Sequence, residues 1–250
     1  MRAIIIGAGR GSRLMPTTEN APKCFAEIQG KRILDWTIEA LRGGGCTEIC
    51  FVGGYRMEAV RRDYPDFEFR ANRDWPDNNI LVSLMCAEDL MDRPFVAAYS
   101  DILFTAGLVA GLVQARDEIA LGVDTDWREH YRPRTRHPPH DAEKVITRGG
   151  RVERVHRGIP YEDATGEFIG VARFGSDGAR CLREFYHRRK AEFWDRPYRE
   201  APLFQRAYLI HLFQDMIEHG IAFGHVDTPG QYREIDTQED MDLAQTLWRP

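Results

Sequence analysis

The tightest constraint on the fold lies at the start of the chain, where the apolar run Ala3-Ile4-Ile5-Ile6 passes directly into Gly7-Ala8-Gly9-Arg10-Gly11. A short β-branched run predicts a strand buried on both faces, as in a parallel sheet, and the glycines predict a turn whose backbone approaches a ligand. The turn matches neither common phosphate loop. A dinucleotide fingerprint, G-x-G-x-x-G, would carry its third glycine where Ser12 stands; the glycine falls one place early, at Gly11. A P-loop would put lysine directly after its last glycine, whereas Lys23 lies well beyond Gly11. No helix signal follows either, because Pro16 and Pro22 enclose Thr17, Thr18 and Asn20, the composition of a long ordered loop. Such a loop still suits phosphate: glycines let N–H groups point at an anion, while Arg13 and Lys23 bring charge to different oxygens.

Strand and helix patterns then alternate, which predicts βαβ units. Short apolar strands are expected at Ala3–Ile6, Glu48–Val52, Phe67–Arg70, Phe95–Tyr99 and Ile119–Val123. Between them Ile33, Trp36, Ile38 and Leu41 share a helical face that stops at Gly43-Gly44-Gly45, and Asn and Thr residues offer caps for later helices. After about residue 120 the rhythm changes. A hairpin is expected around Arg148-Gly149-Gly150, another strand in "EFIGVARF", helices from Asp177 to Phe193 and from Phe204 to His219, and a last helix with Thr237 and Asp240 at capping-box spacing. The whole reads as one domain over residues 1–250, with one half at about 1–120 and a second at 121–250.

A net charge of −5 argues against nucleic acid as a partner. The basic stretch Trp127–His140 would suit a small anion, and a solvated loop explains it equally well. No apolar stretch approaches the roughly 20 residues that span a bilayer, and no secretory leader is recognisable, so no membrane is expected and the cytoplasm is. Five scattered cysteines without a CxxC pair predict reduced, mostly buried thiols.

The stretch "GAGRGSRLMPTTENAPK" resembles the G-x-G-S/T-R-L-x-P-x-T-x-x-x-P-K signature of the sugar-phosphate nucleotidyltransferases. The resemblance implies an α/β fold: a single Rossmann-like nucleotidyltransferase domain with a mixed, mostly parallel sheet flanked by helices and a β-hairpin-bearing insertion on the acceptor side. It implies that Gly7, Ala8, Gly9, Gly11 and Ser12 cradle a nucleoside triphosphate, that Arg13 meets the departing β,γ-phosphates, and that Lys23 neutralises the α-phosphate. "AAYSDILF" and "EIDTQEDM" resemble the two aspartate motifs that hold magnesium, which makes Asp101 and Asp236 the implied ligands of Mg2+. Two positions depart from the pattern: Gly7 stands where alanine is usual, and Ser100 where glycine is.

"NRDWPDNNILVSLMCAEDLM" resembles the segment of the CTP-dependent, choline-phosphate cytidylyltransferase-like branch, with Asn72, Trp75, Asn78, Asn79 and Ser83 in matching places. Asn78, Asn79 and Ser83 could bind the hydrogen-bonding edge of the base, and Asn78 could equally cap a helix. The acceptor is less constrained. A quaternary ammonium would call for aromatic faces such as Trp127, Tyr131, Tyr161 or Phe168, and an amine for Glu143, Asp163 or Glu167. Arg132, Arg134, Arg136 and Lys144 could take a phosphate or phosphonate. His137 and His140 lack the spacing of a zinc site.

The expected activity is therefore magnesium-dependent transfer of CMP from CTP to a small phosphorylated or phosphonate acceptor, phosphocholine-like or an aminoalkyl phosphonate, with release of pyrophosphate. The acceptor site is expected among Trp127, Tyr131, Arg136, Lys144 and Glu167. A sugar-1-phosphate nucleotidyltransferase using UTP, GTP or dTTP is the nearest alternative, and a catalytically silent nucleotide sensor is another. A homodimer stays open.

Overall fold

The structure is a computed structural model describing residues 1–250. Its elements run β1 (Arg2–Gly7), β2 (Glu27–Ile28), β3 (Lys31–Arg32), α1 (Ile33–Gly43), β4 (Glu48–Gly53), α2 (Met57–Asp63), β5 (Glu68–Ala71), α3 (Ile80–Met85), β6 (Phe95–Tyr99), β7 (Ile102–Phe104) and α4 (Ala106–Gln114). They continue with β8 (Ile119–Asp124), α5 (Trp127–Tyr131), β9 (Lys144–Arg148), β10 (Arg151–Val155), β11 (Gly166–Phe174), α6 (Ser176–Phe193), α7 (Leu209–Glu218), β12 (Gly224–Asp227), β13 (Tyr232–Glu234) and α8 (Gln238–Leu247).

Nine strands form one sheet in the order β5-β4-β1-β6-β11-β8-β12-β10-β9. The parallel character expected of the sheet holds from β5 to β6; β11 then enters antiparallel to both β6 and β8. Successive strands leave β1 to opposite sides, β4 on one and β6 on the other, and a crevice opens at their carboxyl ends, where α/β sheets bind ligands. Alternate side chains of β1 feed two cores. Ile4 and Ile6 pack with α3, α6 and α7, and Ala3 and Ile5 with α1 and α4. The glycine run ending α1 also lets α4 come close, since a methyl on Gly44 would lie 2.3 Å from Val109 Cβ.

Two features that the sequence did not announce, and one hairpin that it did, shape the crevice. Asp101 and Asp236, far apart in the chain, become neighbours because β7 pairs with β13, and the Ile235 N–H donates to the Asp101 carbonyl at 3.0 Å. The helix expected from Phe204 to His219 is broken: a 3-10 turn at Phe204–Arg206 precedes α7, and extended backbone at Tyr208 sends its ring toward the crevice. The Arg148-Gly149-Gly150-Arg151 hairpin joins β9 to β10, with both glycines at positive φ, and this brings β9 back beside the start of β11. All five cysteines are free thiols. No helix is long and apolar enough to cross a membrane.

Candidate active site

A cleft of about 680 Å3 lies at this edge of the sheet. One wall is the loop after β1. Gly11 has φ +65°, and a Cβ there would lie 2.9 Å from Lys23 Cβ, so both the turn and the passage of the lysine stem require glycine. Thr18 Oγ1 donates to the Gly11 carbonyl at 2.9 Å, and Leu14 is buried with Ile33, Leu103, Ile235 and Trp248, which fixes the loop. Above Gly9 the space is open. Gly7, Ala8, Gly9, Gly11, Ser12, Arg13 and Lys23 all line the cleft.

The two departures from the sequence pattern lie side by side. A methyl on Gly7 would meet Ser100 Oγ at 2.8 Å and Phe51 Cζ at 2.5 Å. Glycine at position 7 therefore leaves room for both the Phe51 ring and the Ser100 hydroxyl.

Lys23 is the centre of charge. Its ammonium donates to Asp101 Oδ2 at 2.7 Å and to Asp236 Oδ1, while Arg13 pairs with Asp236 Oδ2 at 2.5 Å. Burial alone would lower the Lys23 pKa, but the two carboxylates outweigh it and raise the value. Burial likewise pushes Asp236 up, and Lys23 and Arg13 override it, holding the carboxyl at about 2. Glu234, beside Asp236, is pushed well above the usual range by burial and then by that neighbouring charge.

His137 also lines the cleft beside this group. Its Nε2 lies 3.5 Å from Glu234 Oε2, and His137, Glu234 and Asp236 offer ligand atoms within 4.8 Å of one another. Asp101 sits on the other side of Lys23 and is 29% exposed, and its Oδ1 accepts from no protein donor.

The residues offered to a base are engaged with one another. Asn72 and Asn78 form a reciprocal amide pair at 2.7 and 2.9 Å, and Asn72 Nδ2 also donates to Ser83 Oγ at 2.9 Å. Asn79, rather than Asn78, caps α3, its Oδ1 accepting from the Ile80 N–H at 2.8 Å. Asn78, Asn79 and Ser83 nevertheless line the cleft beside Trp75.

The opposite wall differs most from the expected one. Trp127 is fully buried with Tyr131, Ala142, Ile159 and Ala164, away from the cleft, because its apolar surface completes that small core. Tyr131 is in the same cluster and reaches the site only through its hydroxyl, which donates to Glu167 Oε1 at 2.8 Å. Arg136 is exposed outside the cleft, with its backbone N–H on Glu239. Lys144 is buried, its ammonium donating to the carbonyls of Pro139 and Ala142 at 3.4 and 3.5 Å, so it secures its own loop. Arg134 is spent on Asp240 at 2.7 Å, beside the cap of α8.

Of the five residues expected to bind the acceptor, Glu167 alone lines the cleft. Its companions there are Tyr99, Glu143, Arg157 and Tyr208. Arg157 and Tyr208 are not singled out by the sequence pattern; each sits just outside a regular element, where the packing of distant segments makes it a neighbour of Glu167.

Residues 3–151 match the MobA-like NTP transferase domain family. The chain is 31% identical over 254 residues to the CTP:phosphoglutamine cytidylyltransferase of Campylobacter jejuni, covering 97% of this chain and 98% of that one. It is 32% identical over 108 residues to the choline-phosphate cytidylyltransferase of Streptococcus pneumoniae, covering 42% and 46%. The inositol-1-phosphate CTP transferase of T. maritima shares the fold with a TM-score of 0.73 at 20% identity, covering 100% of this chain and 98% of that one. The chain is a member of the MobA-like NTP transferase domain family and a nucleotidyltransferase.

Proposed function

We propose that the protein transfers CMP from CTP to a small phosphorylated or phosphonate acceptor and releases pyrophosphate. The observation that carries the proposal is the Lys23 ammonium, buried where the glycine loop meets Asp101 and Asp236. An acceptor oxygen attacks the α-phosphorus of CTP; a new P–O bond forms as the bond from that phosphorus to pyrophosphate breaks, and pyrophosphate leaves with the electron pair. No covalent intermediate on the protein is needed, so the chain contributes positioning and charge.

The loop N–H groups between Gly7 and Ser12 face the triphosphate, and the half-exposed Arg13 side chain takes the outer phosphates. An ammonium has three donors, and Lys23 spends two on carboxylates, which leaves one for an α-phosphate oxygen. Asp101 and Asp236 would hold Mg2+. The fit rests on their hard oxygen donors and on Asp101 Oδ1, which has no protein partner. Magnesium, when bound, offsets phosphate charge that develops in the transition state. The full-length similarity to a CTP-dependent enzyme supports CTP as the nucleotide.

Pyrophosphate release measured with CTP, UTP, GTP and dTTP, each against a panel of phosphorylated acceptors, tests the proposal. Turnover should be selective for CTP. Selective use of UTP or dTTP with a sugar phosphate would overturn it, and nucleotide binding without any turnover would favour a silent sensor.

A further inference from the structure

The wall opposite the glycine loop is too polar, and too incompletely paired, to be a passive lining. Glu167 is 3% exposed; its Oε1 accepts from Tyr131, and its Oε2 is buried without any hydrogen-bond donor. Burying a carboxylate oxygen unpaired costs free energy unless a ligand supplies the missing donor. Arg157 presents the opposite deficit. One terminal nitrogen donates to Glu143 Oε1 at 3.3 Å, its guanidinium lies 4.2 Å from the Tyr208 ring centroid, and its Nε is buried without an acceptor. Glu143 itself is held loosely, at 3.3 Å from both Arg157 and the Tyr99 hydroxyl. These groups come together because Glu167 in β11 pairs with Lys144 in β9, while β10, which precedes Arg157, pairs with β9 from the other side.

A ligand that satisfies this wall needs N–H donors for the carboxylates and an anionic acceptor for the guanidinium fork. A quaternary ammonium supplies no N–H and seeks a free ring face, yet Arg157 already covers Tyr208, Phe168 is buried and Trp127 is sealed in its own core. A simple aminoalkyl phosphate supplies the donors, but its one anion is the phosphate that attacks the α-phosphorus beside Lys23, which leaves none for Arg157. We propose that the acceptor is the phosphorylated form of a zwitterionic amino acid, its carboxylate bound by Arg157 and its ammonium by Glu167 and Glu143. Without acceptor, Arg157 and Glu143 neutralise each other; with it, each exchanges that long contact for a partner of its own. The inference rests on the cytidylyl-transfer reading and narrows it to one class of acceptor.

O-phosphoserine differs from phosphoethanolamine only by its carboxylate, so the pair isolates the role of Arg157. The panel adds O-phosphohomoserine, the phosphoglutamine named for the Campylobacter relative, phosphocholine and glucose 1-phosphate. With CTP, the best amino-acid phosphate should exceed phosphoethanolamine in kcat/KM by about tenfold or more, as one charge-assisted fork contact allows. In Arg157→Gln that ratio should fall toward one, and in Arg157→Lys, which keeps charge without the fork, it should fall part of the way. CTP binding by each variant serves as the check on folding.

Equal use of phosphoethanolamine or phosphocholine by the wild type, preference for glucose 1-phosphate, or an undiminished ratio in a folded Arg157→Gln variant would overturn the inference and leave cytidylyl transfer intact. Retention of the amino-acid preference with UTP in place of CTP would do the reverse.

Discussion

The two walls of the cleft solve the problem of holding charge in different ways. The nucleotide wall is a continuous piece of chain, Gly7 to Lys23, which offers backbone N–H groups, open space over Gly9 and a guanidinium, Arg13, whose side chain is 62% exposed. The proposed acceptor wall is assembled from segments far apart in the chain: the buried Glu143 and Glu167, with the partly exposed Arg157, Tyr99 and Tyr208. A backbone cradle accepts any triphosphate of the right shape, whereas a buried, partly satisfied set of charges accepts only a ligand that completes it. The proposed function therefore assigns recognition of the acceptor to the second wall. Lys23 belongs to the first by sequence and ties the loop to Asp101 and Asp236, which come from distant parts of the chain.

That division can be broken most severely at Lys23. Lys23→Ala should reduce pyrophosphate release by about a hundred- to a thousandfold, the scale set by losing one preorganised donor to developing charge. It should also lower unfolding stability by about 3 kcal/mol, since the buried Asp236 loses a partner. Asp101→Ala should lose turnover by orders of magnitude while remaining folded, and an active variant would remove Asp101 from the proposed metal site.

A smaller effect probes the packing behind the loop. Gly7→Ala should destabilise the fold by about 1–3 kcal/mol through overpacking, and adding Ser100→Gly should restore part of the loss by removing one of the two clashes. Additivity in a double-mutant cycle read by denaturant unfolding would disprove the coupling between the two positions.

The walls should also titrate in opposite senses. Asp236 is held at about 2, below its ordinary 3.8, so its contribution is complete above about pH 4 and is lost as pH falls toward 2. Glu167 is pushed up to about 7 by burial, offset in part by the Tyr131 hydroxyl and Arg134 and reinforced by Asp124 and Glu143. Between its ordinary 4.5 and 7 the folded chain keeps a proton that the unfolded chain has shed. Stability therefore falls as pH rises through that window. Unfolding curves at several pH values should show a shallower decline for Glu167→Gln than for the wild type; parallel declines would contradict the assignment. The smallest effect is expected at Arg136, outside the cleft: Arg136→Ala should change stability by less than about 0.5 kcal/mol and leave the acceptor KM as it is.

The same contrast explains what could be read in advance. The loop was legible because its constraints are local: a strand, a glycine turn, two prolines and a lysine in one continuous stretch. The flanks of β1, β4 and β6 were legible because alternating buried strands and helices leave a periodic trace. Trp127 and Lys144 misled because an aromatic ring or an ammonium looks the same in sequence whether it faces a ligand or completes a small core. Arg157 and Tyr208 were invisible for the complementary reason, since their proximity depends on the β9–β10 hairpin and on a broken helix. His137 was set aside on local spacing, although its neighbours Glu234 and Asp236 arrive from the other end of the chain.

The central claim is that the glycine loop and Lys23 hold a triphosphate to be cut between its α- and β-phosphates. CTP radiolabelled at the α-phosphate, and separately at the γ-phosphate, tests it most directly when each is incubated with the acceptor panel and the products are resolved. The α-label should enter a CDP-linked acceptor, the γ-label should leave as pyrophosphate, and Lys23→Ala should slow both by about the same hundred- to thousandfold. Release of the γ-label as orthophosphate, or its transfer to the acceptor, would contradict the account.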